Sequence, residues 1–219
     1  MSPPSLPIAD LLSALPAPAR LAIAEDVVCL RRFVATGPLQ AAIAAIAAVA
    51  PFRHLATPGG GRMSVAMTNC GAVGWHSDTT GYRYVPEDAQ SGRRWPAMPA
   101  SFAELAASAA RSAGFADFVP DCCLVNRYAI GAQMGTHRDH DELDFSHPIV
   151  SVSIGLPAMF LWYGATRQGP PARVPLEDGD VVVWGRSARA GYHGVRRLGA
   201  RGAPSPDAVR YNLTFRRAR

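Results

Sequence analysis

From Asp121 to the C-terminus the chain offers only short, strand-length segments, and this restricts that half to an all-β sandwich or barrel. The candidate strands are Cys122 to Ala129, Ile149 to Gly155, Ala158 to Tyr163, Arg173 to Leu176, Val181 to Trp184, Gly191 to Val195 and Val209 to Arg216. Gly, Pro or Asp punctuates the gaps, and no segment of helical length and period intervenes. Strands at this spacing predict a mainly β fold with flanking helices, and a jelly roll of this kind can hold ligands in its mouth.

The last strand carries the clearest pattern. Val209, Tyr211, Leu213 and Phe215 fall on one face, and Arg210, Asn212, Thr214 and Arg216 on the other. An ordinary half-buried strand also gives this alternation. Inside a barrel, however, two Arg and an Asn in line demand a buried anion, because unpaired buried charge is costly. Arg matches a carboxylate with a planar two-point fork. Cys122 to Ala129 likewise puts Leu124, Asn126 and Tyr128 on one face. A small dicarboxylic acid, held by Arg at one end and a metal at the other, would satisfy these groups.

The metal candidate is His137-Arg138-Asp139. Side chains two apart on an extended strand point the same way, so one imidazole and one carboxylate can grip one ion. His193, beyond the apolar strand Val181 to Trp184, can complete a two-His-one-carboxylate set, the usual cradle of non-haem Fe(II) oxygenases. The competing reading is a solvated acidic loop, since His140, Asp141, Glu142 and Asp144 follow at once. Zinc also suits such a triad.

Upstream, residues 1 to about 20 are rich in Pro and Ala and read as a loosely attached arm. Val27 to Phe33 reads as a short strand, and Pro38 and Pro51 bracket a helix over Leu39 to Ala50 whose stripe Ile43, Ile46 and Val49 packs on the main sheet. From Thr57 to Pro99 the texture turns to Gly, polar and aromatic residues: Met63 to Thr68 alternates as a strand, and the remainder reads as loops and hairpins. Aromatics interleaved with Arg, as in Tyr82-Arg83-Tyr84 and Arg93-Arg94-Trp95, suit base stacking and phosphate contact. A further helix is expected from a capping box at Ser101 to Glu104 to a glycine stop at Gly114. The division this implies is an N-terminal arm and packing helix over 1–56, a lid over 57–100, and a helix with the β core over 101–219, with 57–219 forming one catalytic domain.

The charge balance fits a phosphate-bearing partner without demanding one. The chain carries a formal charge of +5, and its 22 basic residues are all Arg, a bias that genome composition can also produce. Cys29, Cys70, Cys122 and Cys123 form no zinc or redox pattern and read as buried free thiols in a reducing cytoplasm. No apolar run is long enough to span a bilayer, and the N-terminus lacks the order of a signal peptide, so a cytoplasmic monomer is expected.

Taken together, His137-x-Asp139, His193 and Arg210-Tyr211-Asn212-Leu213-Thr214-Phe215-Arg216 resemble the AlkB family of Fe(II)- and 2-oxoglutarate-dependent nucleic-acid dealkylases. The likeness runs from about Thr57 to Arg217 and takes in Met63 to Gly71, Trp95 to Pro99, Asn126-Arg127-Tyr128, Pro148 to Ser153 and Gly179 to Gly185. It implies a double-stranded β-helix under a nucleotide-recognition lid, using Fe(II), 2-oxoglutarate and O2 on alkylated single- or double-stranded DNA, or RNA. By this resemblance His137, Asp139 and His193 hold iron, and Asn126, Tyr128, Arg210, Asn212 and Arg216 hold 2-oxoglutarate. Trp75, Tyr82, Tyr84, Asp141 and Arg167 fall where the family contacts a flipped nucleotide, with Arg83 beside them as a further substrate contact. Hydroxylating a methyl on a ring nitrogen of 1-methyladenine or 3-methylcytosine would shed formaldehyde and restore the base. The alternatives are an oxygenase of the same chemistry acting on protein, lipid or a small molecule, and a non-catalytic jelly-roll binding module.

Overall fold

The alternation of the strand Val209–Arg216 divides the molecule in two, because one face of that strand must meet apolar side chains and the other must not. In the computed structural model, which describes residues 19–200 and 202–219, β1 (Arg20–Ala24), β2 (Val27–Leu30), β3 (Ala66–Gly71), β6 (Cys122–Ala129), β8 (Ile149–Gly155), β11 (Val181–Trp184) and β13 (Val209–Arg216) form one antiparallel sheet. Its order is β1-β2-β11-β8-β13-β6-β3. A second sheet of four strands, ordered β10-β9-β12-β7, is built from β7 (Met134–His137), β9 (Ala158–Gly164), β10 (Ala172–Leu176) and β12 (Tyr192–Val195). A separate hairpin pairs β4 (Gly74–Asp78) with β5 (Gly81–Val85). Two sheets with crossing connections make the expected jelly roll.

The outer face of the large sheet is closed by two helices, α1 (Gly37–Val49) and α2 (Ala100–Ser112). Leu39, Ile43 and Ile46 of α1 and Phe102, Leu105 and Ala109 of α2 are buried in one cluster with Val125, Val152, Val183, Leu213 and Phe215. Each large side chain buried in this way contributes roughly 1.5–3 kcal/mol. Val49, assigned to the stripe of α1 by its spacing, is instead exposed. The inner face takes the alternate residues: Val27, Cys29, Ile149, Val182 and Trp184 meet Phe160, Trp162, Val174 and Leu176 of the small sheet. Further along that face the lining is polar, with Asn126, Arg210, Asn212, Thr214 and Arg216 all buried.

Several local expectations shift. The strand read over Met63 to Thr68 is β3, starting at Ala66, because the Ser64 hydroxyl ties to the backbone of Gln133 and bends the chain there. Helix α2 does not start on a capping box: Pro99 is its cap, its carbonyl accepting from the Phe102 amide, and Ser101 lies buried inside the helix with no capping bond. The glycine stop holds. Gly114 sits at φ +95° while the Phe115 and Gly114 amides reach back to the Ala110 and Arg111 carbonyls, a two-bond helix ending. The segment before residue 57 supplies more than a packing helix, since β1 and β2 extend the large sheet. The arm read over residues 1 to about 20 lies almost wholly outside the described residues. The four cysteines are buried and free, with Cys70 paired across the ladder to Cys123. No helix among the described residues is long and apolar enough to cross a membrane.

Gly155 ends β8 at φ +83°, where a Cβ would lie 2.8 Å from the Val209 carbonyl oxygen beside the cavity wall. Positive φ is unfavourable for any residue with a Cβ, at about 1–3 kcal/mol. Gly155→Ala is therefore expected to lower stability by about that amount in urea unfolding; an unchanged midpoint would show that the turn relaxes freely.

Candidate metal centre and substrate cavity

Strands β7 and β12 are antiparallel neighbours in the small sheet, and their register sets His137 directly opposite His193. The two imidazole rings lie 4.4 Å apart between centroids. Each donates its Nδ1 hydrogen to a carbonyl two residues back, His137 to Gly135 at 2.8 Å and His193 to Gly191 at 3.0 Å. Both therefore turn an Nε2 lone pair toward the same point, as metal-binding histidines do. Trp162 and Trp184 pack against the His193 ring. A Cβ on Gly191 would collide with Trp162, so this position must be glycine for the ring to sit where it does. Burial, joined by the charge of His137, pulls the His193 pKa down to about 4, which keeps the imidazole neutral.

Asp139 completes the set. One ligand atom from each of His137, Asp139 and His193 lies within 4.8 Å of the others, with His137 Nε2 3.7 Å from Asp139 Oδ1. The expectation that His137 and Asp139 share a strand needs correcting. β7 ends on His137, and Asp139 lies beyond it, drawn inward by arginine rather than aimed by strand alternation. Arg216 donates to Asp139 Oδ2 at 2.7 Å from Nη2 and 3.2 Å from Nε. Burial by itself would raise this carboxyl, but the Arg216 guanidinium, with His193 and His137, outweighs it and holds the group well below the usual carboxylate range. The other four histidines lie away from the triad: His54 bonds Met63, and His76, His140 and His147 lie beside Asp78, Asp141 and Asp144.

The triad opens into a cavity of about 780 Å³. Its floor is the polar face of β13 and β6. Arg210 lies over the Tyr128 ring at 4.9 Å and donates to the Ser153 hydroxyl at 3.1 Å. Asn212 donates to Ser151 and the Val152 carbonyl, and Asn126 donates to Asn212. Nε and Nη1 of Arg210, although buried, have no partner among the described residues. Buried donors of this kind are rarely left unmade. A carboxylate seated against Arg210 would take both, and Asn126 Oδ1 is likewise unpartnered. The floor thus fits a dicarboxylate lying between Arg210 and the triad.

The mouth is formed by the β4–β5 hairpin on one side. Trp75 and Tyr82 stack with centroids 5.4 Å apart and planes at 20°, and both line the cavity. The Trp75 indole donates to Asp141 at 2.8 Å, and Asn69 clamps the Trp75 backbone through both its N–H and C=O. Arg167 and Asp141 also line the mouth. Arg83 and Tyr84 do not. Arg83 forks onto Asp78 at 2.6 and 3.0 Å, outside the cavity. The Tyr84 hydroxyl donates to Glu142 at 2.6 Å.

That last contact exposes a group the sequence pattern concealed. Glu142, placed by its neighbours in a solvated acidic run, is buried and forms ion pairs with Arg216 Nε at 3.1 Å and Arg189 Nη2 at 3.2 Å. Arg189, itself buried, also donates to the carbonyls of His147 and Asp139. Two carboxylates and two guanidinia thus form one connected charge network behind the metal side. The only sequence signal was the density of acids after His137.

Comparison with known proteins agrees with this geometry. The model of the 2OG-Fe(II) oxygenase superfamily matches residues 26–216. The chain belongs to that superfamily. It is 52% identical over 198 residues to the alpha-ketoglutarate-dependent dioxygenase AlkB of Escherichia coli strain K12, covering 90% of this chain and 92% of that one. It is 50% identical over 204 residues to the protein of the same description from Salmonella typhimurium, covering 92% and 94%. The solved structure of OsALKBH1 superposes with a TM-score of 0.75 at 26% identity, over 91% of this chain and 100% of that one. The enzyme is accordingly an Fe(II)- and 2-oxoglutarate-dependent dioxygenase of the AlkB kind.

Removing one partner from a buried charged pair costs about 3–5 kcal/mol, because the other is left desolvated. Glu142→Ala is expected to lose stability on that scale and Tyr84→Phe, which removes one hydrogen bond to a charged group, about 1.5–3 kcal/mol. Chemical denaturation of both variants checks this, and equal, small losses would show that Glu142 is as solvated as its sequence suggests.

Proposed function

We propose that this dioxygenase removes methyl groups from the pairing-edge nitrogens of bases in DNA or RNA, as a cytoplasmic monomer, with 1-methyladenine and 3-methylcytosine as substrates. The observation that carries the proposal is the stacked Trp75–Tyr82 pair at the mouth of the same cavity whose depth holds the His137, Asp139 and His193 triad. A planar base can enter against that aromatic wall, and a base that cannot pair leaves the helix stack more cheaply.

When bound, iron with 2-oxoglutarate and O2 supplies the oxidation that hydroxylates the methyl carbon, which then leaves as formaldehyde. The chain's own work is placement. His137, Asp139 and His193 would hold the metal beside the open cavity. Arg210 holds the far carboxylate of 2-oxoglutarate, with Tyr128, Asn126 and Asn212 shaping the floor. Arg216 fixes Asp139 through Oδ2, leaving Oδ1 on the side of His137. Trp75 and Tyr82 receive the base, and Arg167 lies at the rim beside them. Asp141, oriented by the Trp75 indole, presents a carboxylate to the base edge.

The direct test is incubation with Fe(II), 2-oxoglutarate and an oligonucleotide carrying 3-methylcytosine, followed by mass measurement of the product. Loss of one methylene equivalent (the methyl replaced by hydrogen) is expected from the wild type and not from His193→Ala. Succinate release with no change in any methylated oligonucleotide would favour a protein or small-molecule substrate.

Asp141 generates a second expectation. 1-Methyladenine and 3-methylcytosine are cations at neutral pH, whereas 3-methylthymine is neutral. A hydrogen bond to a charged group is worth about 1.5–3 kcal/mol. The wild type is therefore expected to prefer 3-methylcytosine over 3-methylthymine, and Asp141→Asn to lose most of that preference. An unchanged ratio of specificity constants would remove Asp141 as the reader of charge.

A further inference from the structure

Arg138 lies between two metal ligands in sequence and inside the most acidic stretch of the chain, yet it pairs with none of those acids. Asp139 is taken by Arg216, Asp141 accepts from Trp75, Glu142 is held by Tyr84, Arg216 and Arg189, and Asp144 accepts from Ser146 and lies beside His147. Arg138 instead leans over the ring of Tyr192, with its guanidinium carbon 5.5 Å from the centroid. Arg167, from the loop between β9 and β10, reaches the same ring at 5.6 Å and is steadied by the Thr136 carbonyl at 3.1 Å. All three side chains line the cavity, both arginines are exposed, and neither forms an ion pair among the described residues.

Two like charges gathered on one aromatic ring repel each other, and the ring's π-face offsets this only in part. An anion shared between them would turn that repulsion into attraction. The anion cannot be the metal's co-substrate, whose far carboxylate already has Arg210 on the cavity floor. It must come from outside, at the rim. A guanidinium fork suits a phosphate, and the Trp75–Tyr82 wall lies on the same mouth to take a base. The position also matters for charge reading. An unoccupied Arg138 beside the triad would work against a cationic base that Asp141 attracts, whereas an Arg138 neutralised by phosphate would not.

From this geometry we infer that Arg138 and Arg167, both set against the Tyr192 ring, form a clamp for one backbone phosphodiester next to the flipped nucleotide. The inference rests on the nucleic-acid reading above and adds to it the group that holds the strand.

The test pairs a protein change with a substrate change. Oligonucleotides carrying 3-methylcytosine are made with a single uncharged methylphosphonate at each phosphate in turn around the lesion, and their binding to wild type and Arg138→Gln is followed by fluorescence anisotropy. For the wild type, one position adjacent to the lesion is expected to weaken binding about tenfold. In Arg138→Gln, the all-phosphate oligonucleotide should bind about tenfold more weakly, and the methylphosphonate at that position should cost nothing more. The slope of log affinity against log salt should fall by roughly one in the variant. Tight binding and demethylation by the wild type, with a methylphosphonate profile that Arg138→Gln leaves unaltered, would overturn the clamp and leave the nucleic-acid reading standing. Failure of the wild type to bind or repair any methylated oligonucleotide would overturn both.

Discussion

The ion pair between Arg216 and Asp139 is the contact on which the remaining architecture depends. A carboxylate that must offer one oxygen to a metal is best fixed by occupying the other, and Arg216 does so at 2.7 Å. That arginine can be buried only because Glu142 meets its Nε, and Glu142 can be buried only because Arg189 and Tyr84 meet it in turn. Such networks stabilise little compared with apolar packing of the same volume, but they are unforgiving of partial loss. What they supply here is direction: a loop residue beyond the end of β7 is held as firmly as a residue on a strand.

The sheet that carries Arg216 can host so much polarity on one face because its other face is apolar across β2, β8, β11 and β13. Leu213 and Phe215 of β13, with Val125 and Val152 beside them, are covered by α1 and α2. The stabilising burial lies on the helix side, and the functional groups lie on the side facing the small sheet. Strand β13 is central, flanked by β6 and β8 over nearly its whole length, so Arg210, Asn212 and Arg216 project from a backbone hydrogen-bonded on both edges. Rigid placement of this kind is what a site needs to hold a small co-substrate in one pose.

Which parts of this could be read from residues alone follows from the range of the forces involved. The bounds of β6, β8, β11 and β13 are legible because an apolar or alternating run stopped by Gly, Pro or Asp is a local property of the chain. The three metal-ligand candidates are legible because few residue types can do that work, and register then sets His137 beside His193. Edge strand β1 was not read, since Arg20–Ala24 is mostly exposed and carries no apolar alternation. Ser101 looks like a cap because polarity near a helix start resembles one, but only the carbonyl of Pro99 shows where the helix begins. Glu142 and Arg189 were invisible for a deeper reason. A buried ion network and a solvated charge run have the same composition, and only the tertiary fold decides which acids are enclosed. The directions of Arg83 and Tyr84 follow the same rule, each being set by a partner, Asp78 or Glu142, that the alternation of β5 does not name.

The four cysteines described with the sheets bear on how such a protein withstands its own chemistry. Electrophiles and oxidants attack the thiolate, not the thiol. Burial pushes the Cys29 thiol up to about 12, and it also raises Cys122 and Cys123 well above the ordinary range for cysteine. Cys70 and Cys123 lie under the helices, Cys29 between the sheets and Cys122 against Val73 and Ala218, and none of the four lines the cavity. A dioxygenase that activates oxygen thus keeps the Cys29, Cys122 and Cys123 thiols protonated and all four sulfur atoms away from its cavity.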